Sequence, residues 1–254
     1  MARIIAVANQ KGGVGKTTTC VNMCAALSLM DRRVLLVDCD PQGNASSGMG
    51  VNKSRRPNTY DMLINSAAAA DCVESTDYGD AIPASKELAA ASVELINSPR
   101  REYVLKDAVT AMYSEYDYIL LDCPPSLELL TVNALTAADS VLIPMQCEYY
   151  ALEGIADLMT SIKMCSKRLN RKLEVEGIVL TMYDNRANLT IQVANELRKY
   201  LGDKIYDTVV PRSVRLSEAP SHGIPGVVYD RVNRGSKAYM ALAAEFIRRC
   251  ESRK

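Results

Sequence analysis

Ten residues near the start of the chain, NQKGGVGKTT at positions 9–18, combine the groups needed to hold a phosphate chain. Gly12, Gly13 and Gly15 allow backbone N–H groups to turn inward around phosphate oxygens, and a helix starting at Lys16 adds the partial positive charge of its amino end. Lys16 has the reach to meet β- and γ-phosphates, and the Thr17 hydroxyl suits Mg²⁺. The phosphate-binding candidates are Gly12, Gly13, Val14, Gly15, Lys16, Thr17 and Thr18. The usual pattern, G-x-x-x-x-G-K-[ST], is broken at its first position, where Gln10 replaces glycine. Lys11 is an additional lysine, and its residue type alone allows a solvated loop position or a phosphate contact within its own subunit.

Phosphoryl transfer also needs carboxylates near the phosphates. Asp38 and Asp40 stand in DCDPQGN at 38–44, and Asp122 in ILLDCPPS at 119–126, each just past an apolar run. If those runs are neighbouring parallel strands, their ends share a rim with the glycine loop. Aspartates there can hold Mg²⁺ directly or through water, and one can orient an attacking water. The competing role for any single aspartate is to cap the helix that follows.

The elements that must position these groups alternate. Apolar runs at 4–8, 34–38, 119–122, 141–144, 177–181 and 205–209 have the continuous character of strands covered on both faces. Helical patterns fall at about 16–30, 101–114, 152–169, 187–201 and 236–250. The expected fold is α/β, a doubly wound, mostly parallel sheet flanked by helices on both faces, as in P-loop NTPases, with residues 1–254 forming one domain. Between 66 and 97 the alanine tract 66–70 reads as helix or loop, and 88–91 as helix.

Charge balances across the 254 residues but not between halves: residues 1–150 carry 12 Lys+Arg against 18 Asp+Glu, and residues 151–254 carry 18 against 12. The basic half is a candidate surface for a polyanion. Eight cysteines are scattered without a C-x-x-C pair, and Cys39, Cys123 and Cys147 lie in apolar runs, where a thiol behaves as a small hydrophobe. With no secretory leader and no apolar run near the ~20 residues of a membrane span, the chain reads as reduced, soluble and cytoplasmic.

KGGVGKT at 11–17 resembles the deviant Walker A motif of the ParA/MinD superfamily of ATPases. DCDPQGN resembles its Walker A′ segment, and ILLDCPPS its Walker B and switch segment. VPRSVRLSEAPSHG at 210–223 is similar to the consensus of the short ParA/Soj proteins that partition chromosomes and plasmids. The resemblance covers nearly the whole chain. It implies that Lys11 reaches across a homodimer to the partner's ATP, that Asp40 is required for hydrolysis, and that Thr17, Asp40 and Asp122 serve Mg²⁺. Pro211 and Arg212 would pack near the adenine. It implies further a DNA-partitioning ATPase, nucleoid-associated, whose ATP-bound dimer binds double-stranded DNA non-specifically through basic residues of the second half. The candidates are Arg186, Arg215 and Arg248, with Lys199 and Arg234 behind them. A ParB-like partner would stimulate slow hydrolysis and release the dimer, with no membrane involved.

Two relatives within the superfamily compete with that reading. A MinD-like membrane ATPase needs a terminal amphipathic helix, whereas Tyr239, Leu242, Ala243 and Phe246 read as a core-facing stripe followed only by 251–254. An iron–sulfur relative needs paired thiolates at a subunit interface, and the cysteine spacing here supplies none. His222, the single histidine, lies in a loop-like segment with no nucleophile beside it, and Tyr149 and Tyr150 read as packing at a helix start. The first strand begins near Arg3, which leaves no helix-turn-helix extension and predicts no operator-specific binding.

Overall fold

The computed structural model describes residues 2–148 and 150–252. Strands are β1 (Arg3–Val7), β2 (Val34–Asp38), β3 (Glu74–Thr76), β4 (Gly79–Ile82), β5 (Tyr118–Asp122), β6 (Ser140–Gln146) and β7 (Glu174–Thr181). Helices are α1 (Lys16–Ser28), α2 (Asn44–Gly48), α3 (Thr59–Ile64), α4 (Ala69–Cys72), α5 (Leu88–Glu94), α6 (Val104–Thr110), α7 (Leu129–Ala137), α8 (Ala151–Arg168), α9 (Asn188–Leu201), α10 (Val214–Glu218), α11 (Gly226–Tyr229) and α12 (Arg234–Glu251). Tyr149 and the end of the tail, Arg253 and Lys254, lie outside the described residues, as does Met1.

The seven strands form one sheet in the order β3-β4-β2-β5-β1-β6-β7, parallel except for the antiparallel β3–β4 pair. This is the expected doubly wound architecture. Alternate residues of each central strand face opposite helical layers, which is why the runs are apolar throughout. Ile4, Ala6, Leu35, Val37, Ile119 and Leu121 join a core with residues of α3 and α5–α9. Ile5, Val7, Val34, Leu36 and Leu120 join the other, with α1, α2 and α10–α12. From β1 the chain first winds to β2 and β4 on one side, and after β5 it passes to β6 on the other. The glycine loop therefore leaves the sheet where the winding reverses, the place where open α/β sheets bind ligands.

One expectation needs correction, and one strand pair was not foreseen. The segment 205–209 is not a strand. Single bridges tie Ile205 to Ile178 and Pro211 to Tyr183, and Tyr206 N–H donates to the Ile178 carbonyl at 2.9 Å. Between them the ladder is interrupted because Glu245 of α12 accepts the N–H groups of Asp207 and Thr208, each at 2.9 Å. A charged acceptor takes these donors in place of a strand carbonyl. The hairpin β3–β4 was absent from the sequence reading, being three and four residues long with polar positions that hide the alternation. The alanine tract is loop up to position 68 and then the short helix α4.

Burial opposes the charged form of Glu245, but the bonds from Thr208 and Asp207 and the Arg249 guanidinium outweigh it and hold its pKa below the ordinary value. A depressed carboxylate contributes stability above its unfolded pKa and loses it as pH falls through the folded one. Glu245→Gln is expected to cost about 1–3 kcal/mol at pH 7. In urea unfolding, its gap from the wild type should shrink as the pH falls below about 4. A gap independent of pH would contradict this role.

Candidate nucleotide site at the carboxyl rim of the sheet

The register of three strands builds the site. Asp38 of β2 is level with Asp122 of β5, which is level with Val7 of β1, so the carboxylates and the glycine loop leave the sheet together. Gly15 caps α1 with φ +85°, a conformation that a side chain strains against, and no side chain caps the helix or places an acid in its first turn. The orphan N–H groups and positive end of α1 thus face the loop unneutralised, which suits an anion.

Lys16 is buried, and its Nζ donates to the Lys11 carbonyl at 3.0 Å across the loop. Burial lowers its pKa, against the opposing pull of Asp122 and Asp40. Thr17 Oγ1 donates to Asp122 Oδ2 at 2.8 Å. Asp122 is fully buried; desolvation first, and then the neighbouring Asp38, push its pKa well above the carboxylate range. Its other oxygen, Oδ1, is buried without a hydrogen-bond partner. A hydroxyl beside an orphaned carboxylate oxygen fits a hydrated divalent cation, with Thr17 as ligand and Asp122 acting through water. Among the described residues no three His, Cys, Asp or Glu side chains converge on one metal position. A cation here therefore needs further oxygens from a phosphate ligand, as P-loop Mg²⁺ does. When bound, it would neutralise phosphate charge.

Asp38 and Asp40 have separate tasks. Asp38 Oδ2 accepts the backbone N–H and the hydroxyl of Ser46 at 2.8 and 2.7 Å, and Oδ1 accepts Asp40 N–H at 3.1 Å. Burial pushes its pKa up to about 6 despite these bonds. It is the structural carboxylate of the three, shaping the loop after β2. Asp40 is buried at the rim, with Oδ1 accepting the Gln42 N–H at 2.9 Å. It lies close enough to Lys16 and Asp122 to bias their charges.

Lys11 is half exposed and ion-paired with Glu148 in the loop after β6, so it stands outside the cradle rather than in it. Asn9 holds the loop's entry, donating to the Pro144 carbonyl at 2.8 Å and accepting Lys11 N–H at 3.0 Å. Two residues that sequence reading missed brace the cradle: Thr181 Oγ1 donates to the Val14 carbonyl at 2.8 Å, and Gln146 Nε2 to the Gly13 carbonyl at 3.1 Å. By engaging carbonyls from the ends of β6 and β7 they help fix the orientation of the loop's peptides. A polar residue ending each apolar run was the available signal.

Pro211 and Arg212 line a cavity of about 350 Å³ beside Gly15 and Thr18, walled also by Val210, Leu216 and Tyr239. The basic candidates divide into groups. Arg186, Arg234 and Arg212 line a second, rim cavity of about 550 Å³ with Glu148. Lys199 and Arg248 lie at the other end of the sheet, where their chain neighbours Arg198 and Arg249 share a cleft. On one helix, Arg234 and Arg248 are separated by about 21 Å of rise. Arg215 is engaged by Glu218 at 2.9 Å and Asp230 at 3.6 Å. No single patch holds all five in one subunit.

His222 stacks on Tyr229, with ring centroids 5.0 Å apart, and touches none of the rim carboxylates. Tyr239, Leu242, Ala243 and Phe246 of α12 are buried against the core, as the stripe predicted, and among the described residues no helix is long and apolar enough to cross a membrane. All eight cysteines are buried and none is in a disulfide, and burial pushes the thiols of Cys39 and Cys123 up, away from the thiolate a cluster requires.

Thr181→Val keeps the shape of the side chain and removes the bond to Val14. It is expected to weaken binding of tripolyphosphate about tenfold, and Thr181→Ser to restore most of it, by titration calorimetry. Equal binding by all three proteins would remove Thr181 from the cradle.

Comparison with known proteins places this rim in a family. A family model described as an AAA domain matches residues 2–175. The chain is 54% identical over 248 residues to the sporulation initiation inhibitor protein Soj of Bacillus subtilis, covering 96% of this chain and 98% of that one. It is 50% identical over 252 residues to the chromosome partitioning protein ParA of Caulobacter vibrioides, covering 97% and 94%. A solved structure named cobyrinic acid a,c-diamide synthase, from Mycobacterium smegmatis with bound ADP and magnesium, superposes with a TM-score of 0.87 at 33% identity, covering 100% and 97%. The deviant glycine loop, the paired carboxylate segments and the full-length identity agree: the chain belongs to the ParA/Soj family of chromosome-partitioning ATPases.

Proposed function

We propose that this chain is a Mg²⁺-dependent ATPase of DNA partitioning, acting as one domain over its whole length. ATP binding closes a homodimer around two nucleotides, and the dimer binds double-stranded DNA without sequence preference. Hydrolysis, stimulated by a ParB-like partner, returns the subunits to the cytoplasm from the nucleoid. The observation that carries this reading is the placement of the two loop lysines. Lys16 is buried within the cradle, while Lys11 stands half exposed on its outer face. A lysine held outside its own cradle is available to a facing subunit, where a cation stabilises phosphate charge in a partly dehydrated interface.

In this reading Gly12, Gly13, Val14, Gly15 and Thr18 surround the phosphates with Lys16, while Pro211 and Arg212 flank the adenine. Thr17 would hold Mg²⁺, and Asp122 would act on it through water. Asp40, whose carboxylate is held by Gln42 N–H at the rim, would orient the attacking water and contribute to Mg²⁺ binding. Nucleotide serves as a switch between monomer and dimer more than as a source of chemistry. DNA contacts are to phosphates and therefore salt-sensitive. Arg186 and Arg234 contribute from the rim, while Lys199 and Arg248 contribute from the far end and Arg215 from α10. Continuity between them comes from dimerisation.

ATP-dependent binding to non-specific duplex DNA at low salt tests the reading. Lys16→Ala should lose nucleotide binding, Lys11→Ala should bind ATP without forming the productive dimer, and Asp40→Ala should persist as a DNA-bound dimer. Normal ATP hydrolysis by Asp40→Ala would overturn its role, and absence of ATP-dependent DNA binding by the wild type would end the proposal. Arg186→Ala combined with Arg234→Ala should reduce the slope of log affinity against log salt by about two. An unchanged slope would move DNA binding away from the rim.

A further inference from the structure

A cavity of about 430 Å³ opens beside the Asp40 loop, separate from the phosphate cradle, and its wall includes Gln42, Lys53, Arg56, Ser85, Lys86 and Glu87. Its charges are arranged unevenly. Arg56 is committed, paired with both Asp61 and Glu87. Among the described residues Lys86 is exposed and forms no salt bridge, and Lys53 donates to the neutral carbonyl of Gln42, at 2.8 Å. Ser85 lines the same wall, and its Oγ is buried without any hydrogen-bond partner. A buried hydroxyl left unpaired costs free energy that a ligand acceptor would recover. Two ammonium groups in no salt bridge among the described residues and an orphaned hydroxyl together suit the oxygens of a terminal phosphate, a compact acceptor that lysines bind as point charges. The concave shape favours a small anion over a rigid duplex.

The cavity also adjoins the proposed catalytic carboxylate. Lys53 holds the carbonyl of Gln42, and the N–H of the same residue holds Asp40 Oδ1 at 2.9 Å. The next residue, Gly43, is confined: a Cβ there would stand 2.8 Å from the Ala84 carbonyl and 3.0 Å from the Lys53 stem, in a backbone with φ +62°. A loop packed this closely against Ala84 and Lys53 has little freedom to absorb a shift of Lys53. We propose that this cavity binds a small anion bearing a terminal phosphate, and that Lys53, a positioning residue, transmits its occupation to Asp40. An incoming phosphate competes with the Gln42 carbonyl for the Lys53 ammonium and so loosens the orientation of Asp40. The regulatory half rests on the ATPase reading above; the binding half does not.

The test uses the full chain carrying Lys16→Ala, so that the cradle cannot compete, and pyrophosphate as the probe in titration calorimetry. Saturable binding is expected, weakened at least about tenfold by adding Lys86→Ala or Ser85→Ala, with circular dichroism unchanged. Dimethyl phosphate, which has no terminal phosphate, should not compete. No binding, binding indifferent to Lys86 and Ser85, or equal competition by dimethyl phosphate or duplex DNA would overturn the site. For the coupling, Lys53→Met in the otherwise wild-type chain should lower kcat about tenfold at nearly unchanged KM for ATP. An unchanged kcat would overturn the link to Asp40. A wild type that does not hydrolyse ATP would instead overturn the ATPase reading and leave the pyrophosphate result standing.

Discussion

The lateral register of β2, β5 and β1 is the constraint on which the rest depends. Hydrogen bonds between parallel strands place Asp38, Asp122 and Val7 at one level, so the glycine loop, the Asp40 loop and the switch segment leave the sheet side by side. A slip of one residue would send every side chain of a strand to the opposite face, moving Ile4 or Leu35 out of one core and Asp122 away from Thr17. The two apolar layers penalise that slip on both sides of the sheet, and the same burial that stabilises the fold therefore aligns the site.

Alignment brings an electrostatic strain. Lys16, Asp38 and Asp122 are taken out of water together, and burial pushes each toward its neutral form. Asp38 is compensated by three donors, and it holds the loop. Asp122 keeps one oxygen without a partner, and Lys16 donates to a backbone carbonyl rather than to a carboxylate. Groups left short of partners at a rim are the ones a charged ligand can satisfy, so the distribution of compensation separates framework from function.

The rim is also braced from outside the recognisable motifs. Thr181 and Gln146 reach back from β7 and β6 to the loop carbonyls, Asn9 anchors its entry, and Lys53 closes on the Asp40 loop from the segment after α2. The phosphate cradle and the loop bearing Asp40 are consequently tied to separate supports. A change at either support can reach one loop without unfolding the other.

Much was legible in the chain itself. Local spacing is enough for a phosphate loop, because its groups are contiguous and its conformational demands fall on Gly12, Gly13 and Gly15. Continuous apolar runs are enough for buried parallel strands, and five of the six runs became strands. The sixth, 205–209, did not, because Glu245, some forty positions away, claims its N–H groups, and no local pattern encodes a distant acceptor. The short polar hairpin β3–β4 was hidden for a related reason: three or four residues carry too little periodicity to register. Sequence by itself determined the motif chemistry, the fold class and the family. Tertiary structure alone decided that Asp38 is framework while Asp40 and Asp122 face the rim, that Lys11 stands outside its cradle on Glu148, and that the basic residues split between two ends of the sheet. The physical reason is that chemical type is a property of a residue, whereas burial, partners and level in the sheet are properties of what the fold brings beside it.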